Sequence, residues 1–126
     1  MKKGFTLLEL IIVVIIIGIL VSMALPKFIS VAEKARAAEG KGMIGSLRNA
    51  QLRYYAQNSK YTAAMADLDI AMTASTNFND AVPTATSTNL AYALRKSSGY
   101  TLSIGEGGSI SCGGGTAPLN CTAAGF

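Results

Sequence analysis

Strongly apolar residues are concentrated at the start of the chain. The segment 5–25 reads FTLLELIIVVIIIGILVSMAL and contains one charged residue, Glu9. As a helix these 21 residues would be about 31 Å long, which is close to the thickness of the hydrocarbon core of a bilayer. We therefore predict a membrane-spanning helix over residues 5–26, with Pro26 at the end of the apolar run.

From residue 27 to about residue 58 the apolar positions recur at helical spacing. They follow one another at intervals of four, three and four residues, as Met43, Leu47, Ala50 and Tyr54. This spacing predicts an amphipathic helix over residues 27–58 with one face packed on a small domain. Glu33, Arg36 and Glu39 form i,i+3 pairs that we expect only to support the helix. The two segments together make one helix of roughly 50 residues, which suits a protein that spans two environments.

Beyond residue 58 the helical spacing gives way to loop residues and then to alternation. Residues 59–89 are rich in Ala, Thr, Asn and Asp, and we predict a connecting loop with one short helix near residues 63–68. Alternation then marks three runs: Leu90, Tyr92 and Leu94; Tyr100, Leu102 and Ile104; Ile110 and Cys112. These runs predict three antiparallel strands, the last two joined by a glycine-rich turn at residues 105–108. The expected fold class is α+β, a long N-terminal helix whose amphipathic half packs on a small antiparallel β-meander.

A glycine-rich stretch lies within the amphipathic helix at residues 40–45, which read GKGMIG. The stretch matches the GxGxxG pattern of dinucleotide-binding loops, but such loops follow a strand, whereas a helical pattern leads into this one. We therefore reject nucleotide binding. Each glycine weakens a helix by roughly 1 kcal/mol relative to alanine, so the stretch predicts a bend or a close approach of the sheet.

The composition removes most catalytic chemistry. The chain has no histidine, which argues against zinc sites and histidine-based acid–base catalysis, and it contains no GxSxG nucleophile motif. We therefore expect no enzyme, no catalytic residue, no cofactor and no bound metal. The net charge of +4 includes Lys2 and Lys3, and it is too small to indicate a nucleic-acid-binding protein.

The basic start and the cysteines indicate export. Lys2 and Lys3 precede the apolar segment, and the positive-inside rule then places the rest of the chain across the membrane. A cleavable secretory signal is the alternative, but its apolar core is shorter and ends at an AxA-like site. Cys112 and Cys121 lack the spacing of a metal site, so they favour one disulfide formed outside the cytoplasm.

Glu9 is unusual, because a carboxylate at the centre of a membrane helix costs about 3 kcal/mol. Two interpretations are open. Either Glu9 has a partner or a function, or its position in the first two turns lets the helix dipole and the lipid headgroups reduce the cost.

Residues 2–20, KKGFTLLELIIVVIIIGIL, resemble the prepilin signature of type IV pilins and of the related pseudopilins of type II secretion. The shared features are a short basic leader that ends in glycine, then Phe5, then TLLEL and an apolar run. The resemblance implies the type IV pilin fold, with the apolar half of the helix protruding and a disulfide-bounded loop at the C-terminus. It also implies that a prepilin peptidase removes the leader, residues 1–4, by cutting after Gly4, and methylates the amino group of Phe5.

The same resemblance implies roles for charged and helix-weakening residues in the apolar segment. Glu9 would pair with the amino group of Phe5 in a neighbouring subunit, and this pair would set the axial register of a filament. Gly18 and Pro26 correspond to a stretch that can unwind in assembled filaments. We therefore expect local helix melting between these two residues.

The C-terminal half matches type IV pilins in layout rather than in motif. Residues 59–89 correspond to the variable αβ-loop, and residues 90–126 to the sheet and the disulfide-bounded region. The segment between the cysteines, which includes GGGTAPLN, is small and nearly uncharged. It therefore predicts packing between subunits as readily as adhesion.

Basic residues repeat every seven positions along the amphipathic helix, at Lys27, Lys34, Lys41 and Arg48. A seven-residue repeat drifts only about 20° per step, so the four side chains form one basic stripe. The stripe is interpreted as a solvated face, as a contact with acidic patches of neighbouring subunits, or as a weak binding site for DNA.

Together with the resemblance, these features predict a major pilin, a structural subunit that polymerises with copies of itself into a helical fibre. The precursor is expected in the inner membrane and the assembled protein in the extracellular pilus, with prepilin peptidase and the pilus assembly machinery as partners. Adhesion, motility or DNA uptake would follow from the filament. The alternative is a major pseudopilin of a type II secretion system. Many pseudopilins hold calcium with clustered carboxylates near the C-terminus, whereas here only Glu106 follows Asp80.

Overall fold

The computed structural model describes residues 4–97, 99–116 and 119–126. One long helix, α1 (Leu7–Asn58), is followed by a short 3₁₀ helix at Met65–Asp67 and then by strands. The strands are β1 (Val82–Thr86), β2 (Asn89–Leu94), β3 (Thr101–Ile104), β4 (Ile110–Gly113), β5 (Gly115–Thr116) and β6 (Leu119–Asn120). The basic residues Lys2 and Lys3, and residues 117 and 118 of the predicted disulfide loop, lie outside the described residues.

α1 is one continuous helix of 52 residues that runs through Pro26. It begins after Thr6, whose side chain caps the N-terminus. It ends at Ser59, whose φ of 54° is left-handed and whose N–H donates to the carbonyl of Tyr55. The prediction of one long helix is confirmed. The melting expected between Gly18 and Pro26 concerns an assembled filament and stays a prediction.

The two halves of α1 differ in burial. From Leu7 to Val31 the large apolar side chains are exposed, apart from Ile29, which is half-buried. Buried positions then recur at helical spacing, at Glu33, Ala37, Gly40, Ile44, Leu47, Ala50 and Gln51. The apolar half therefore protrudes and the amphipathic half packs on the domain, as predicted.

The strands β1 to β4 form one antiparallel sheet in chain order, and the sheet packs on α1. Inward side chains of the sheet, such as Ala93 and Leu102, join Ile44 and Leu47 of the helix in the core. The three predicted strands are present as β2, β3 and β4. The turn between β3 and β4 is glycine-rich as predicted, and Gly108 in it has a φ of 84°.

The strand β1 differs from the prediction, because it lies within residues 59–89, where the sequence predicts a connecting loop. It is an edge strand that pairs with β2, and its register shifts between Pro83 and Thr86. Proline cannot donate a hydrogen bond to a ladder, so it weakens the strand signal in the sequence, but an edge position tolerates it. The short helix predicted near residues 63–68 is present as the 3₁₀ helix.

The predicted disulfide closes the C-terminal loop. Cys112 of β4 is bonded to Cys121, just after β6, and their Cα atoms are 5.7 Å apart. The short strands β5 and β6 pair with each other inside this loop. In the chain-entropy account a loop of this size stabilises a small domain by about 2.5 to 3 kcal/mol.

Gly40 is where the helix and the sheet approach each other most closely in the glycine-rich stretch. A Cβ atom on Gly40 would lie 2.6 Å from Cζ of Phe78 and 2.9 Å from Cδ1 of Leu102. Both neighbours are fully buried. A Cβ on Gly42 or on Gly45 would meet nothing within 4 Å. The close approach predicted from the sequence is therefore confirmed for Gly40 alone.

We expect the substitution Gly40→Ala to lower the free energy of unfolding by about 1 to 3 kcal/mol, because the added methyl group overpacks a filled core. Gly42→Ala is the matched control, and it should raise the free energy by up to about 1 kcal/mol through higher helix propensity. Thermal unfolding of the full chain in detergent micelles compares the two. Equal effects of the two substitutions would contradict the packing described at Gly40.

Candidate functional site

The protruding half of α1 is an uncovered apolar surface. An 18-residue window of α1 reaches a mean hydropathy of 3.0, and none of it is buried within the chain. By length and composition, α1 is able to cross a membrane. Monomeric soluble proteins rarely expose so large a continuous apolar area, and such surfaces mark contacts with lipid or with another protein. This surface is therefore the candidate site, and we call residues 5–31 the bare segment.

Glu9, the only charged residue of the segment 5–25, is bound at the N-terminus of its own helix. Its Oε2 accepts hydrogen bonds from the backbone N of Thr6 at 2.9 Å and from Oγ1 of Thr6 at 2.7 Å. In return, the backbone N of Glu9 donates to Oγ1 of Thr6 at 3.2 Å. This reciprocal arrangement is a capping box, and it satisfies N–H groups that the first turn of a helix leaves free.

The capping box adds a partner for Glu9 that sequence analysis missed. The signal is present in the sequence, because Thr6 and Glu9 have the T-x-x-E spacing of a capping box before an apolar run. Phe5 is next to this cap, and its side chain is 91% exposed. The structure therefore brings together the predicted cleavage site at Gly4 and Phe5 and the predicted register residue Glu9 at one end of the helix.

Two features weaken the backbone hydrogen bonding of the bare segment around Pro26. Proline lacks an N–H group, so Pro26 cannot donate to the carbonyl four residues before it, that of Ser22. The hydroxyl groups of Ser22 and Ser30 donate to the carbonyls of Ile19 and Lys27, at 2.7 and 2.9 Å. Bonds of this kind slightly destabilise helices and often bend them.

The basic stripe is largely occupied by contacts within the chain. Arg48 donates from Nε and Nη2 to the backbone carbonyl of Glu106 in the turn between β3 and β4. Nζ of Lys41 lies 4.1 Å from the centroid of the Phe126 ring, and the methylene groups of Lys34 lie beside Gly125. Lys27 is exposed. Three members of the stripe, Lys34, Lys41 and Arg48, therefore contact residues in the C-terminal part of the chain.

Glu33 forms the predicted i,i+3 pair with Arg36, but it also makes contacts that the sequence does not predict. It is fully buried, and its Oε1 accepts from Nε of Arg95 at 2.7 Å and from the hydroxyl of Tyr100 at 2.9 Å. Its Oε2 accepts from Nη2 of Arg95 at 3.3 Å and from Arg36 at 3.2 Å. We call Glu33, Arg95 and Tyr100 the buried cluster. Sequence analysis missed it because Arg95 is 62 positions away and carries no local signal.

The charges of the buried cluster determine how it titrates. Burial raises the pKa of Glu33, but hydrogen bonds from Arg95, Tyr100 and Arg36 outweigh it, so the pKa of Glu33 is lowered from its ordinary value of 4.5. Burial and the nearby Glu33 raise the pKa of Tyr100. Glu33 and Arg95 are therefore both ionised at neutral pH.

We expect the folded domain to lose stability in acid. A carboxyl group whose pKa is lower in the folded state contributes stability above its unfolded pKa, and this contribution is lost as the pH falls through the folded pKa. The melting temperature should therefore be steady down to about pH 5, and it should decrease when the pH is lowered below 4.5, the ordinary pKa of a glutamate. The pKa of Asp69 is also lowered, chiefly by its hydrogen bond with Arg53. The variant Asp69→Asn should retain most of the acid dependence. The variant Glu33→Gln should lose much of it, and a dependence as steep as that of the unchanged protein would show that Glu33 is not its source.

The chain is similar to known proteins at its N-terminus and, in one case, over most of its length. Residues 1–25 match the prokaryotic N-terminal methylation motif. A fimbrial protein of Eikenella corrodens is 34% identical over 105 residues, which cover 82% of this chain and 69% of that protein. A type IV major pilin of Myxococcus xanthus is 39% identical over 61 residues, which cover 48% of this chain and 28% of that protein. Core protein G of the type II secretion system of Vibrio cholerae is 39% identical over 76 residues, covering 60% of this chain and 52% of that protein. The matches to the Myxococcus and Vibrio proteins thus span less than two thirds of those relatives.

Proposed function

Because this chain belongs to the type IV pilin family, we propose that it is the major structural subunit of a type IV pilus. The observation that carries the proposal is that the bare segment, an apolar helix, protrudes from a folded domain with its apolar side chains exposed. A surface of this kind is stable only in lipid or against other copies of itself. A pilin uses both environments in turn, first as a membrane precursor and then as a filament core.

Assembly brings the bare segments of several subunits together away from lipid. In the single chain Glu9 is bound by its own Thr6, which lowers the cost of keeping a carboxylate in the membrane. In the filament Glu9 would face the ammonium group of Phe5 in a neighbouring subunit. A buried charge pair is tolerated far better than a lone charge, so only an axial stagger that pairs every Glu9 would be stable.

Processing creates the cation that this pairing needs. Prepilin peptidase would cut after Gly4 and methylate the new amino group of Phe5. The match of residues 1–25 to the N-terminal methylation motif supports this step. Further partners would be the inner membrane and the pilus assembly machinery. The role is structural rather than catalytic, and adhesion, motility or DNA uptake would follow from the filament, with at most weak binding of nucleic acid.

The intact mass of protein sheared from the cell surface tests the processing step. We expect a chain that lacks residues 1–4 and carries one methyl group on Phe5. The variant Gly4→Val should accumulate in the membrane with its leader uncut, because a branched side chain stands at the cleavage site. An uncut N-terminus in surface protein, or a cut after Ala24, would contradict the proposal.

We also propose that α1 unwinds locally between Gly18 and Pro26 when the subunit leaves the membrane. The missing N–H of Pro26 and the hydroxyl bonds of Ser22 and Ser30 support this, because they weaken the helix at that place. Hydrogen exchange of the assembled filament measures it. Uniform protection of residues 18–26 would contradict the unwinding.

The second candidate is a major pseudopilin of a type II secretion system, favoured by the similarity to core protein G. Deletion of the gene separates the two functions. A major pilin is expected to be required for surface filaments, whereas a pseudopilin is required for secretion of proteins across the outer membrane. Loss of secretion with surface filaments intact would favour the pseudopilin.

A further inference from the structure

The boundary between the bare and the covered parts of α1 lies at Glu33. No residue of α1 before Glu33 is buried. At Glu33 the helix meets two chain segments at once, because Arg95 directly follows β2 and Tyr100 directly precedes β3. The backbone N of Arg95 also donates to the carbonyl of Tyr100 at 2.9 Å, which closes the end of this hairpin.

Arg95 connects the helix to a third segment as well. Its Nη1 donates to the backbone carbonyl of Asn77 at 2.7 Å, and Phe78 forms an isolated bridge with Arg95. The guanidinium lies 5.8 Å from the centroid of the Phe78 ring. One buried arginine therefore binds the helix, the β2–β3 hairpin and the loop that precedes β1.

Between Glu33 and the tightly packed Gly40, two turns further on, the helix is held less firmly. The only buried side chain there is that of Ala37, a single methyl group. The methylene groups of Lys34 lie beside Gly125, and Glu39, directly before Gly40, accepts hydrogen bonds from Ser75 and Asn77. Gly40 then packs against Phe78 and Leu102. A rise of 1.5 Å per residue puts Glu33 and Gly40 about 10 Å apart along the helix axis.

We propose that the buried cluster is a clamp that fixes where unwinding of α1 stops. Before Glu33 the helix is exposed or, at Ile29, Ser30 and Ala32, only half-buried. Glu33 is fully buried and is held by charged hydrogen bonds to Arg95. Any spread of the unwinding from Pro26 toward the domain therefore stops at Glu33 and does not loosen the domain. Without the clamp, the boundary moves to Glu39 and Gly40, which are held by Ser75, Asn77 and the core. The use of this clamp in a filament rests on the function proposed above.

Hydrogen exchange with mass spectrometry tests the clamp on the full, unassembled chain in detergent micelles. The variant is Arg95→Met, and the quantity is the ratio of amide protection in residues 33–39 to that in residues 44–54. We expect this ratio to fall at least about tenfold, because charged hydrogen bonds that hold the first of these turns are lost. Using the ratio separates a local effect from a general loss of stability.

Arg53→Met is the matched control. It breaks an exposed pair, in which Nη2 of Arg53 lies 2.7 Å from Oδ1 of Asp69, and it should leave the ratio unchanged. An unchanged ratio in Arg95→Met, or an equal fall in both segments, overturns the proposal.

If Arg95→Met does not fold, Tyr100→Phe is measured instead, because it removes only one hydroxyl bond to Glu33. A smaller fall of the same ratio supports the clamp, and no fall overturns it. Because the measurement needs no filament, its failure is distinct from a failure of the proposed function.

Discussion

The substitution Glu9→Gln is expected to abolish filament formation while the chain still folds, enters the membrane and is cut after Gly4. In the filament, the amide would leave the ammonium of each neighbouring Phe5 without a counter-charge in a low-dielectric core. Removing one partner of a buried charge pair costs about 3 to 5 kcal/mol. At 1.4 kcal/mol for each factor of ten, the subunit association constant should fall by more than about a hundredfold. Electron microscopy of sheared surface protein measures the filaments, and intact mass measures the cleavage.

Glu39→Gln is the control for this substitution. Glu39 lies on the same helix, but it accepts hydrogen bonds from Ser75 at 2.6 Å and from Asn77 at 2.7 Å within its own domain. Its variant should form filaments in nearly normal amounts. Normal filaments from Glu9→Gln would remove the register role of Glu9 and leave only the capping box with Thr6.

The substitution Gln51→Leu is expected to lower the free energy of unfolding by about 3 to 4 kcal/mol. Gln51 is fully buried and binds three backbone groups. Its Nε2 donates to the carbonyls of Thr62 and Thr84, and its Oε1 accepts from the N–H of Thr62. Leucine has a similar volume but removes all three hydrogen bonds. The two groups of Thr62 are buried, and each unsatisfied buried group costs about 1 to 3 kcal/mol, whereas the Thr84 carbonyl is only partly buried.

Gln57→Leu provides the comparison, because Gln57 is exposed near the end of the same helix. It should change the free energy of unfolding by less than about 0.5 kcal/mol. Chemical denaturation of the full chain in detergent, followed by near-ultraviolet circular dichroism, gives both values. Similar values for the two variants would mean that Gln51 does not join α1 to the loop and to β1.

The long helix and its two halves could be predicted from the sequence because each depends on local spacing. The apolar run from Phe5 and the helical spacing of Leu47 and Ala50 are properties of neighbouring residues, and so is the alternation along β2 and β3. The C-terminal disulfide could be predicted because only two cysteines exist. These are features that a periodic pattern or a count can reveal.

The features that sequence analysis missed depend on contacts between distant residues or on weak signals. Glu33 and Arg95 are 62 positions apart, and a glutamate in an amphipathic helix is most often solvated. Gln51 reaches Thr84 across 33 positions. β1 is short and contains Pro83, so its own residues argue against a strand. The T-x-x-E spacing of the capping box is present in the sequence at Thr6 and Glu9. It was missed because the charge of Glu9 was considered only in relation to the membrane and to a neighbouring subunit.

In the proposed filament the bare segments form the core, and Glu9 is paired to Phe5 of a neighbour. Cryo-electron microscopy of purified filaments, at a resolution that shows side chains, tests this arrangement. We expect residues 5–26 at the filament axis, with the Glu9 carboxylate within about 4 Å of the amino nitrogen of a neighbouring Phe5. Bare segments on the outside of the filament, or Glu9 carboxylates that contact only their own Thr6, would contradict this arrangement.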